Sequence, residues 1–190
     1  HAITYESETQ YKVWHICIDK QGEVVSERAI AVRDGPSIHE CSITDDYVIV
    51  FDLPVTLSLA ALTQGFHFPF RWNESRRARV GLLPRTGSSD DIVWCDIDPC
   101  YVFHVANSVQ HADGSVTIDC CAYESMFAHG PDGPNGVPCG LERWHVNPAT
   151  QKVSRTTIDA SPQEFPRIDE RFFGQPYRHT WTVSQPSEAV

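Results

Sequence analysis

The feature that most restricts the fold of this chain is its punctuation. Apolar, β-branched and aromatic runs recur along it, and Gly, Pro, Asp or Asn closes each before a helix of ordinary length could form. Tyr11 to Asp19 and Glu23 to Val32 flank the turn Asp19-Lys20-Gln21-Gly22 and read as a hairpin. Ile38 to Ile43 and Tyr47 to Leu53 flank a short polar step. Ala78 to Pro84, Ile92 to Asp96, Tyr101 to Val105 and Ser115 to Tyr123 follow. Leu141 to Val146 and Lys152 to Asp159 turn about Asn147-Pro148-Ala149-Thr150, and Phe165 to Ile168 and Arg178 to Val183 end the series. Leu57 to Leu62 is the best short helical candidate. Roughly a dozen short strands with almost no helix predict an all-β protein. Sandwich, barrel and propeller all fit this pattern. The hairpins recur loosely, and at roughly 40 to 50 residues per four-stranded blade the chain amounts to about four blades. Residues 1–190 read as a single segment.

Composition narrows the function classes. The chain has 190 residues, 41% hydrophobic and 21% charged, with a formal charge of -10. That balance disfavours a nucleic-acid binder, which needs clustered Lys and Arg to neutralise phosphates. The one basic cluster, Arg71 to Arg79, is expected to brace a turn or a surface. Seven cysteines at irregular spacing contain no Cys-x-x-Cys pair, so no zinc ribbon or thioredoxin-like motif is readable. Free thiols inside apolar runs, Cys120 and Cys121 among them, predict a reducing, cytoplasmic compartment. No signal peptide or membrane-length apolar span is expected. The chain opens at His1 and its single methionine is Met126, so it reads as a piece of a longer protein, incomplete at both ends.

Three stretches set unusual polar residues among strand-like surroundings. His39 lies just before Tyr47 to Leu53, a run that alternates poorly and therefore reads as a strand buried on both faces. His104 is delivered by the apolar Tyr101 to Phe103 and followed by Asn107. Glu164 opens another strand. A buried histidine pair with a carboxylate behind it suits a first-row transition metal, because neutral imidazoles ligate it and an outer group orients them. The same three residues also fit satisfied polar groups in a β core. His15, His67, His111, His129, His145 and His179 fall in hairpins and loops and are assigned to structure or solvent; Asp45 and Asp46 are assigned to a turn.

These stretches resemble the carotenoid cleavage oxygenases, the family of apocarotenoid oxygenases, lignostilbene dioxygenases and the vertebrate retinoid isomerohydrolase. Its pattern of a histidine, a Thr-bearing turn and a hydrophobic strand ending in Leu-Pro is matched by IHECSITDDYVIVFDLP. Phe-His-x-x-Asn is matched by FHVAN, and Glu-Phe-Pro-x-Ile with Gly-x-x-Tyr by EFPRIDERFFGQPY. The linking ARVGLLPR also fits, and all four occur in the family's order across nearly the whole chain.

The resemblance implies part of a seven-bladed β-propeller with a non-haem Fe(II) on its axis, held by four histidines and three outer glutamates. His39 corresponds to the second histidine, His104 to the third, and Glu164 to the glutamate that partners His104; the other two histidines are expected outside this segment. The expected reaction joins O₂ to a hydrophobic conjugated alkene, a carotenoid, apocarotenoid or stilbene, and cleaves its C=C bond into two carbonyl products. Phe66, Phe68, Phe70 and Trp72 are candidate substrate contacts, and equally candidates for plain packing. Where many relatives carry an acidic residue after Phe-His-x-x-Asn, this chain has Val109-Gln110. Peripheral membrane contact in the complete protein is a further family expectation, although no segment here signals it. With two of four ligands, the segment alone is expected to be inactive. Retinoid isomerisation within the family, and a non-catalytic propeller binding module from another class, stay open; the sequence beyond the segment would separate the latter.

Overall fold

The computed structural model describes residues 1–6, 9–128 and 134–184. His129, placed in a loop by the sequence, and the stretch from Gln185 lie outside them. The strands run in chain order through antiparallel sheets whose neighbours are mostly consecutive, as hairpin chemistry dictates. β1 (Ala2–Tyr5), β2 (Lys12–Ile18) and β3 (Val24–Ala31) form the first sheet. β4 (Cys41–Ile43) and β5 (Tyr47–Asp52) begin the second. The chain then leaves it for the ribbon of β6 (Val55–Leu57) and β7 (Phe70–Trp72), with the short helix α1 (Leu59–Thr63) between them. It returns as β8 (Ala78–Pro84) and β9 (Val93–Ile97), giving the order β4-β5-β8-β9. β10 (Tyr101–Gln110), β11 (Val116–Tyr123), β12 (Pro138–Asn147) and β13 (Lys152–Asp159) make the third sheet. β14 (Gln163–Arg167) pairs with β15 (Trp181–Ser184). Two complete four-stranded meanders with parts of two more beside them are blades of a β-propeller.

The blades stack face to face, and β5 shows why its sequence lacks alternation. Val48 and Val50 pack with Val13, Ile30 and Leu83 toward the first sheet, while Ile49 and Phe51 pack with Val80, Leu82, Ile118 and Trp144 toward the third. Successive side chains point to opposite faces, so a strand covered on both sides must be apolar throughout. Gly81, opposite Trp94 on the neighbouring strand of the same sheet, leaves room for that indole: a Cβ there would stand 2.7 Å from the Trp94 ring.

At its end β5 carries the fully buried Asp52. Its carboxylate receives Arg76 and, at 2.7 Å, the Nε of Arg79, while Arg76 also donates to Asp34 at 2.9 Å. Arg71 donates to the Phe68 and Phe70 carbonyls. The basic cluster thus braces a turn, as expected, and additionally neutralises a buried carboxylate that sequence reading overlooked.

β10, the leading strand of its sheet, lies against both β4 and β14, the leading strands of theirs. This inner edge carries the three polar residues singled out from the sequence.

Candidate metal centre

His104 sits within β10 where the ladder to β11 is broken. Val102 pairs with Ala122 and Val105 with Cys120, so Phe103 and His104 together oppose one residue; a second irregularity precedes Asn107. Such bulges re-aim side chains. Here the His104 ring turns to Glu164 on β14 and donates its Nδ1–H to Oε2 at 2.8 Å. The same oxygen accepts the Phe165 amide at 3.0 Å.

His39 is placed in a loop ahead of β4, since the strand begins only at Cys41. Its Nδ1 lies 3.0 Å from the Phe103 carbonyl, which can only accept, so Nδ1 carries the proton. The two rings stand 4.9 Å apart between centroids, inclined at 79°. Both therefore commit Nδ1 and leave the Nε2 lone pair available, the arrangement of metal-bound imidazoles whose second nitrogen is held by an acceptor. In this segment His39 is exposed and the His104 side chain is 19% exposed, because both stand at the inner edge of the sheets and not in the interior between them. Among the described residues no group of three or more His, Cys, Asp or Glu side chains is placed to hold a metal. As donor chemistry, the two neutral imidazoles fit two positions of a transition-metal site, with Glu164 behind one of them.

The motif asparagine has a different task. Asn107, buried, donates to the Phe172 and Gln175 carbonyls, each at 3.0 Å, and accepts the Gly174 amide at 2.9 Å. It ties the Gly-x-x-Tyr segment to β10. Tyr177 completes that segment by donating to Asp119, which Arg143 also engages with two bonds of 2.7 Å. Gln110 accepts from Thr44 at 3.0 Å and donates to Asp46 at 2.7 Å, so this departure from the family pattern secures the Thr44 turn between blades. Asp45 and Asp46 lie in that turn.

Aromatic rings continue from the histidines. Phe103 lies 5.1 Å from His39, 4.9 Å from Tyr101, 5.7 Å from Tyr123 and 6.2 Å from Phe127. Phe127 meets Phe68 at 4.8 Å, and Phe68 meets Phe70 at 5.1 Å. Phe68 and Phe70 thus join a run of ring contacts that reaches the histidine pair through Phe127, which is buried in the core. Phe66 instead lies under the Arg71 guanidinium, and Trp72 pairs with Val55 in the ribbon and packs against the core. Sequence reading missed Phe127 and Phe165. Phe165 is half exposed, lies 4.9 Å from the His104 ring, and holds φ of 52°, a left-handed conformation costly for an aromatic residue. Its only sequence signal is its place inside Glu-Phe-Pro. Beneath the site, burial and then the Glu164 carboxylate push the Cys121 thiol up to about 12, and burial followed by the same carboxylate raises the Tyr123 phenol. Leu59 and Leu62 of α1 are exposed and line a shallow cavity with Phe70. Among the described residues no helix is long and apolar enough to cross a membrane.

The family described as Retinal pigment epithelial membrane protein (RPE65) matches residues 1–189. A carotenoid cleavage oxygenase of Mycobacterium tuberculosis is 32% identical over 225 residues, covering 96% of this chain and 45% of its own length. Carotenoid 9,10(9',10')-cleavage dioxygenase 1 of Pisum sativum is 27% identical over 189 residues, covering 96% and 35%. Cobalt-substituted Synechocystis ACO superposes with a TM-score of 0.80 at 23% identity, over 93% of this chain and 38% of that one. The chain spans less than half the length of these relatives.

Proposed function

The chain belongs to the RPE65 family, and from that membership we propose that it is the central part of a non-haem Fe(II) dioxygenase that cleaves a conjugated C=C bond with O₂. The substrate class is a carotenoid, apocarotenoid or stilbene. Both oxygen atoms pass to the two alkene carbons, giving two carbonyl products without an external reductant.

The observation that carries this reading is the histidine pair. His39 and His104 each engage Nδ1 with an acceptor and present a neutral Nε2, 4.9 Å apart between ring centroids. When bound, Fe(II) would supply activation of O₂ beside the alkene. This segment's residues do the rest. Glu164 fixes the His104 ring and its tautomer. The run of ring contacts through Phe103, Phe127, Phe68 and Phe70 puts apolar aromatic packing beside the histidine pair, with Phe68 its exposed member, and these four side chains carry no acid that could protonate a conjugated chain. Relatives named for carotenoid cleavage, and an isoeugenol monooxygenase of Pseudomonas putida at 28% identity, support an oxygenase acting on a conjugated alkene.

The test is elemental analysis of the longest native form of the protein, with product analysis after incubation with carotenoid, apocarotenoid and stilbene substrates under air. The expected result is iron near one per chain and paired carbonyl products, both lost in His104→Ala. Absence of iron after anaerobic Fe(II) loading would turn the reading toward a non-catalytic propeller.

A further inference from the structure

β10 is the inner edge strand of its sheet, so half of its main-chain N–H and C=O groups face away from β11. At the bulge, the Phe103 carbonyl and the Val105 amide both meet the loop ahead of β4, one on each side of His104. Two consecutive side chains of that loop take them up. His39 donates to the Phe103 carbonyl at 3.0 Å, and Glu40 Oε2 accepts the Val105 amide at 2.6 Å. The Tyr101 hydroxyl adds a third tie, donating to the Ser37 carbonyl at 3.1 Å. Among the described residues no salt bridge involves Glu40, so its carboxylate is committed to the strand rather than to a cation.

We propose that Glu40 is a positioning residue for the histidine pair: by holding the Val105 amide beside His39's own bond to Phe103, it brackets His104 on its strand and fixes the separation of the two rings. The inference rests on the reading of His39 and His104 as metal ligands. A carboxylate accepting a main-chain amide makes a charge-assisted bond, short and directional, and the bulge at Phe103 and His104 gives the strand local freedom that such a bond removes.

The experiment uses the longest native form of the protein and Co(II) as the probe, because its visible d–d absorption reports ligand geometry. Affinity is measured by competition with a chelator, and folding by thermal unfolding of the metal-free protein. Glu40→Met keeps the side-chain length and removes the acceptor; Glu40→Gln keeps an acceptor oxygen. The expected result is an affinity loss of about 10- to 100-fold with an altered Co(II) spectrum in Glu40→Met, and wild-type spectrum with affinity within about threefold in Glu40→Gln. His104→Ala reports on the underlying reading: retained Co(II) affinity there removes the metal site itself. Loss of Co(II) in His104→Ala together with unchanged affinity and spectrum in Glu40→Met overturns the role of Glu40 alone. Should Glu40→Met not fold, Glu40→Ala replaces it, and a more than tenfold loss in Glu40→Gln overturns the proposal independently.

Discussion

The Nδ1–H of His104 reaches Glu164 Oε2 at 2.8 Å across 60 residues of chain, joining two blades at the inner edge of the propeller. The carboxylate holds a side chain that the bulge in β10 has already turned out of the ladder.

Glu164→Ala is therefore expected to lower metal affinity by about 10- to 100-fold in the longest native form, as loss of an outer partner to a ligating histidine generally does. Glu164→Gln, which keeps an acceptor for the Nδ1–H, should lie between that variant and wild type. Isothermal titration with Co(II) under anaerobic conditions ranks the three; equal affinities would dissociate Glu164 from the site.

Asn107→Ala should destabilise the protein by about 2 kcal/mol, measured as a shift in urea midpoint at unchanged slope. The substitution removes three bonds of a buried side chain at once, while Phe172 and Gln175 are exposed, so water takes up part of what their carbonyls lose. Asn107→Asp retains the acceptor but neither donor, so it should be nearly as damaging.

Arg76→Ala is expected to cost about 3 kcal/mol by the same measurement. Asp52 is fully enclosed and keeps only Arg79 once Arg76 is gone, and breaking a buried ion pair from one side leaves an uncompensated charge. A loss below about 1 kcal/mol would mean that water or Arg79 takes over the freed oxygen.

Acid should weaken the first sheet through His15. Burial, then the Arg28 guanidinium, lowers this imidazole from 6.5 to about 4. The unfolded chain binds the proton more readily, so this contribution to stability is complete above about 6.5 and is lost as the pH falls toward 4. Unfolding midpoints at pH 7 and pH 5 should differ less in His15→Leu than in wild type, and an identical pH dependence in the two would exclude His15 as a source.

Much of this protein is legible in its residues because the relevant signals are local. Turn chemistry such as Asp19-Lys20-Gln21-Gly22 closes hairpins between near neighbours, and the uninterrupted apolar run of β5 records burial on both faces. His39, His104 and Glu164 stand out because each is a polar residue at a strand otherwise made of apolar ones. Tertiary structure decided what those residues meet. Glu40 has no local signal, since its partner is the Val105 amide 65 residues away, and an unpaired amide exists there only because β10 is an edge strand. The ring contacts from Phe103 through Phe127 to Phe68 join three separate stretches of the chain, only the first of them a strand, and no periodicity within any one of them encodes the contacts. Sequence determined which segments become strands and which polar side chains interrupt them; the register and stacking of distant strands decided which of them stand together, because those depend on long-range pairing that no local pattern specifies.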